Sequence, residues 1–204
     1  MKTVKYKMSF TTGGLFRQES VEIATLFLQL RDWNIVREKV LKENVLQTRT
    51  ITSSKRIVRE ICSRLKKLSL DELNLLVEGS AQEQSYLLWM AVCRHYKFIA
   101  DFAVEVIRER YITLNQNLQY EDFDFFFNKK SEWHDEIELI KPTTRKKLRQ
   151  VFFKILREAN LLTKDNAIIG AMLTPRLLDT IQRGDNKEIF IFPAFESDLG
   201  APSQ

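Results

Sequence analysis

Apolar residues recur at every third or fourth position through most of this chain, a period that fits helices and little else. Ile23, Leu26, Phe27 and Leu30 form one such stripe. Ile57, Val58, Ile61, Cys62, Leu65 and Leu68 form a second, and Leu148, Val151, Phe152, Ile155 and Leu156 a third. Only six glycines and four prolines occur in 204 residues, so little interrupts a helix once it has started. The expected class is mainly α. Ala167–Met172 and Glu188–Phe192 read as short strands instead, forming a small C-terminal β-hairpin.

Start and stop signals divide the pattern. Ser20 is the expected cap of the first helix, the second runs from Asp32 to Glu43, and the third starts at Thr52 or Ser53 and reaches Leu68. Ser69 with Glu72 and Ser80 with Glu83 are capping boxes that open helices over 70–78 and 81–97. The latter is apolar from Tyr86 to Cys93, as a central buried helix requires. After a further helix over Asp101–Tyr111, the polar stretch Ile112–Gln119 is the best linker, separating units 1–115 and 120–195. The second unit holds a short helix with Phe123 and Phe125–Phe127, another over Trp133–Ile140, and a long one from a turn and cap at Lys141–Thr144 to Ala159. Asn160 fits a left-handed C-terminal cap, and Thr174-Pro175 starts the last helix. The first eight residues and the tail after Pro193 are expected to lie loosely on the surface.

Net charge is only +5, but its distribution is uneven. Residues 1–70 hold 15 basic and 6 acidic residues, 71–140 hold 6 and 14, and 141–204 hold 11 and 7. Such a basic–acidic–basic layout points to partners. Seven Lys/Arg and one acid lie between Arg49 and Lys67; seven and no acid lie between Lys141 and Arg157. Several stand in first turns of helices, where the dipole favours acids, so the local rule is broken twice in the same way. A phosphate-binding surface would require that. Helix, helix, basic helix is also the order of a helix-turn-helix, and the expected hairpin would stand where a wing does, giving a winged-helix-like second unit with basic helix 143–159 to match basic helix 52–68 in the first. Phe153 falls about 100° off its helix's inner stripe. It either fills an interface between the units or stands exposed beside Arg149 and Arg157 as a base-stacking group.

Catalytic signals are poor. His95 and His134 stand alone, no metal-binding spacing or P-loop occurs, and no Glu-x-Lys accompanies the acids at 121–138. Two cysteines, Cys62 and Cys93, make no disulfide framework and fit packed thiols in a reduced compartment. The longest uncharged stretches, such as Gln84–Cys93, fall well short of the ~20 residues needed to cross a bilayer. Neither cofactor nor metal, membrane nor small-molecule substrate is expected.

The opening Tyr6-Lys7-Met8-Ser9-Phe10-Thr11-Thr12-Gly13-Gly14-Leu15-Phe16 followed by Glu19-Ser20 resembles the start of the BrxA family of BREX (bacteriophage exclusion) systems. Asn44–Thr50 with Ser54-Lys55-Arg56, Arg64–Leu68, and Thr143–Leu148 with Ile155–Ala159 resemble it further. The resemblance implies a cytoplasmic, non-enzymatic phage-defence component, mainly helical with a NusB-like bundle, that binds double-stranded DNA beside other BREX components. The residues expected to bind are Arg49, Lys55, Arg56, Arg59, Lys66 and Lys67 in the first unit. In the second they are Arg145, Lys146, Lys147 and Arg149. An RNA-binding protein and a protein–protein adaptor are the alternatives.

Overall fold

The computed structural model describes residues 5–195, and their regular structure is helical. Helices α1 (Arg17–Leu30), α2 (Trp33–Lys42), α3 (Ile51–Leu65) and α4 (Leu70–Glu78) lead to α5 (Ala81–His95). The apolar run predicts a buried α5, and its residues Leu87 to Val92 are at most 2% exposed. The helix breaks at Tyr96 (φ −124°, ψ 89°), so that α5 ends at His95, two residues before the expected end. That break places the Tyr96 ring in the core with its hydroxyl donating to Glu60. Helix then resumes as α6 (Lys97–Phe102), one wide π turn over Ala103–Arg108, and α7 (Glu109–Ile112).

The remaining elements are α8 (Tyr120–Ser131), α9 (Asp135–Glu138), α10 (Pro142–Glu158) and α11 (Pro175–Gln182), followed by a 3-10 segment over Asn186–Ile191. Phenylalanine joins these parts. Phe98 and Phe102 of α6 meet Phe123 and Phe126 of α8, and Phe102 meets Phe152 of α10, with ring centroids 4.9 to 6.1 Å apart. Offset and edge-on rings at such distances add about 1 kcal/mol per pair beyond their burial. Packing is continuous across 113–119, whose Leu118 is fully buried.

Both capping boxes form as their sequences predict, and Asp32 caps α2. Asn160 takes the left-handed conformation (φ 58°). Three starts differ. Helix α1 begins at Arg17 after a left-handed Phe16, so Ser20 lies buried inside it rather than capping it. Thr50, not Thr52 or Ser53, caps α3 by accepting from the Ser53 amide. Pro142 starts α10 after Lys141 with no side-chain cap, and Thr143 and Thr144 lie within the helix. Trp133–Ile140 yields only the single turn of α9.

The expected C-terminal β-hairpin does not form among the described residues. Around 167–172 the backbone donors go to three different segments: Ile168 to Gln116, Ile169 to Leu161 and Ala171 to Pro193. The result is two isolated bridges, Asn117 with Ala167 and Leu162 with Ile168. Glu188–Phe192 is β-branched and aromatic, but it coils to bury Ile189 and Ile191, and the Ile191 carbonyl accepts the Trp89 indole N–H at 3.1 Å. Tertiary packing overrides strand propensity here. Among the described residues no wing therefore stands beside α10.

The N-terminal segment is pinned rather than loose from residue 5 onward. The Tyr6 amide donates to Glu136 and its hydroxyl to Asp101, both at 2.6 Å. Residues 1–4 and 196–204, including most of the tail after Pro193, lie outside the described residues. Phe10 and Leu15 are buried. Gly13 has φ +71°, and a Cβ there would lie 1.8 Å from the Phe16 ring. Gly14 presents its carbonyl to Arg64 Nη1 at 2.7 Å, and a Cβ there would lie 2.3 Å from Glu158 Oε2. The double glycine is thus a packing requirement.

Arg94 donates to Glu72 at 2.7 Å, to the Lys67 carbonyl at 2.8 Å and to Glu188, joining the turn after α3, α4 and the C-terminal segment. Replacing Gly13 by Ala meets both a disfavoured φ and a ring collision, and should lower stability by about 2 kcal/mol. Arg94→Met leaves the buried Glu72 carboxylate without its partner and should cost about 3 kcal/mol. Both are read as lower urea midpoints at unchanged m.

Candidate nucleic-acid interface

Helix α3 has two faces because its apolar stripe leaves every third or fourth residue outward. Val58, Ile61, Cys62 and Leu65 are buried; Lys55, Arg56 and Arg59 are exposed. Burial raises the Cys62 thiol to about 11, so it is a packed group rather than a nucleophile. Arg64 also belongs to the inner face. At 2% exposure it pairs with Glu60 at 2.9 Å and lies near the faces of Phe16 and Tyr96.

Clefts open along the outer face. One, of about 410 Å³, has Arg37 of α2 facing Lys55, Arg56 and Arg59. Next to it, about 400 Å³ lies between the N-terminal loop and α3, where Lys7, Arg56 and Arg59 project among hydroxyls. A third, of about 300 Å³, is walled by Thr11, Thr12, Ser53, Arg56 and Lys147. Arg56 borders all three, and its Nη2 donates to Thr12 Oγ1 at 3.2 Å. The first basic helix and one lysine of the second thus meet at the loop carrying the double glycine.

The lone acid of the region does not cancel this charge. Glu60 Oε1 accepts from Arg64 and from the Tyr96 hydroxyl, and burial raises the Tyr96 phenol so that it stays protonated. Lys7 Nζ lies 2.6 Å from His95 Nε2. Burial, then the charge of Lys7, lowers His95 to about 4. A neutral imidazole accepts from the ammonium and adds no charge of its own.

The other expected residues are dispersed. Arg49 is exposed in the connection before α3 and borders none of the three clefts. Lys66 and Lys67 are exposed past the far end of α3, with Lys66 Nζ 5.9 Å from the Trp33 ring. On α10, residues 145 and 149 share one side while 147, two residues on, is turned about 200° away. Arg145 pairs with Asp124 at 2.9 Å, donates to the Asp124 carbonyl and covers the Phe127 ring at 4.5 Å. Arg149 pairs with the same carboxylate over Tyr120. Lys146 is exposed and, like Lys147, has no ion pair among the described residues. Phe153 is fully buried, edge-on to Tyr120 at 4.5 Å, and offers no stacking surface.

Lys7 and Thr12 of the N-terminal segment and Arg37 of α2 were missed by sequence density, since they lie outside the two dense basic runs. Only Lys7 and Thr12 carried a signal, as neighbours of the double glycine. Among the described residues no group of three or more His, Cys, Asp or Glu could hold a metal. No helix of the described chain is long and apolar enough to cross a membrane.

The BrxA family model matches residues 4–185. A BREX protein BrxA of Escherichia coli O9:H4 (strain HS) is 28% identical over 147 residues, covering 72% of this chain and 69% of that protein. Another, of Bacillus cereus (strain H3081.97), is 27% identical over 127 residues, covering 62% and 64%. A crystal structure of an uncharacterized protein from Magnetospirillum magneticum has the same fold, with a TM-score of 0.78 at 22% identity over 92% of this chain and 96% of that one. With a family match spanning most of its length, the chain belongs to the BrxA family.

Proposed function

We propose that this protein is a non-catalytic, cytoplasmic component of a BREX phage-defence system that binds double-stranded DNA through its phosphates. The BREX part follows from the names of its relatives. The DNA part rests on one observation: Arg56 and Lys147, from two helices far apart in sequence, converge on one cleft, flanked by Lys7, Arg37, Lys55 and Arg59. Cations grouped beside hydroxyls, with Glu60 the one carboxylate bordering these clefts and bonded to Arg64 and Tyr96, suit phosphodiester oxygens. The contact is assigned to the outer face of α3. The order α8, α9, α10 keeps a helix-turn-helix reading open without a wing, but Arg145 and Arg149 face inward there.

RNA is the competing ligand, since a NusB-like helical bundle would suit it. A separate adaptor role is favoured by Phe125, Trp133 and Leu139, which are 74%, 76% and 82% exposed within the acidic middle of the chain.

Binding to duplex DNA, single-stranded DNA and RNA over a salt series tests the reading. Each neutralised phosphate contributes about 0.9 to the log–log slope, so Lys55/Arg56/Arg59→Ala should lower the duplex slope by up to about 2.7. Duplex affinity no better than that for RNA would defeat the DNA assignment. By contrast, Arg145→Ala and Arg149→Ala should reduce thermal stability and leave the duplex slope unchanged, because both guanidinium groups are spent on Asp124.

A further inference from the structure

Two of the basic clefts share Thr11, Thr12 and Arg56 in their walls. On one side Lys7, Arg56 and Arg59 supply the cations, and Ser9, Thr11 and Ser63 supply hydroxyls. Glu60 borders this side too, but its Oε1 is taken by Arg64 at 2.9 Å and by Tyr96. On the other side Lys147 reaches in from α10 opposite Arg56, with Thr11 and Ser53 beside it.

Thr12 borders both clefts and its hydroxyl holds Arg56 Nη2 at 3.2 Å. A guanidinium carries five N–H donors in a planar fork, so one bond to Thr12 orients the fork and leaves four donors for ligands. Without that bond, a long exposed side chain would have to be ordered at the moment of binding, at the expense of affinity. Cations and hydroxyls face Arg56 on both sides, and the one bordering carboxylate, Glu60 on the first side, is bonded through Oε1 to Arg64 and Tyr96. Such a set suits two linked phosphoryl groups.

We propose that loop 9–13, α3 and Lys147 form a two-seat clamp for neighbouring phosphates of one nucleic-acid strand, with Thr12 as the positioning residue for Arg56. The clamp deepens the duplex-binding reading and rests on it. A free diphosphate would present the same oxyanions, so inorganic pyrophosphate is the control ligand.

The test measures duplex binding over a salt series for wild type, Lys7→Ala, Lys147→Ala, Thr12→Val and Thr12→Ser, with circular dichroism confirming the fold of each. Lys7→Ala and Lys147→Ala should each lower the slope by about 0.9, and the double variant by about 1.8. Thr12→Val should weaken binding about threefold to tenfold at fixed salt with the slope unchanged, since Arg56 keeps its charge but loses its orientation. Thr12→Ser should restore wild-type affinity.

If wild type binds no duplex, the DNA reading falls and the clamp falls with it. If wild type binds but the lysine variants keep its affinity and slope, the clamp alone is overturned. A Thr12→Ser variant as weak as Thr12→Val overturns the positioning role. Pyrophosphate that raises the melting temperature and displaces duplex at micromolar concentration overturns the strand assignment in favour of a free anion; failure to do so supports it.

Discussion

The buried guanidinium of Arg64 is the contact on which the basic surface depends. It joins α3 to the N-terminal loop through the Gly14 carbonyl, pairs with Glu60, and lies near the faces of Phe16 and Tyr96. Charge-assisted bonds of this kind are about twice as strong as neutral ones, and each aromatic face adds to them. Their consequence is positional. Loop 9–13 is held against the outer face of α3, which brings Thr12 to Arg56. The same guanidinium occupies Glu60, the one acid that would otherwise neutralise the clefts.

Two clusters of similar charge density meet different fates for a reason of geometry. On α3 the basic side chains project away from the apolar stripe into clefts whose one bordering carboxylate, Glu60, is bonded to Arg64 and Tyr96. On α10 the neighbouring helix α8 presents Asp124, and Arg145 and Arg149, one turn apart, both close on it. Lys147 escapes because it points elsewhere around the helix. Two equal sequence signals therefore amount to one surface plus a single contribution from the second helix.

Much of the local structure was legible in the chain. Ser69 and Ser80 cap where their spacing predicts, and the run Tyr86–Cys93 forms the buried central helix. Errors arose where a distant contact outweighed a local preference. Phe16 enters the left-handed region with its ring over Gly13, so α1 starts ahead of Ser20. Glu188–Phe192 has strand composition, but with no partner strand beside it the segment gains more by coiling Ile189 and Ile191 into the protein. Phe153 lies off its helix's main stripe, yet packing against Tyr120 buries it completely.

Sequence by itself determined the helical class, the caps, the buried stripes and the basic–acidic–basic order, because each depends on residues within a turn or two of one another. It also carried the family, through the Ser9–Leu15 block and its helical companions. Only the tertiary structure decided which cations are free. Whether an arginine meets a carboxylate or an open cleft depends on what the rest of the fold brings within about 4 Å, the range over which ion pairs form. Helical spacing states which side of a helix a charge leaves from, and packing alone supplies what it finds there.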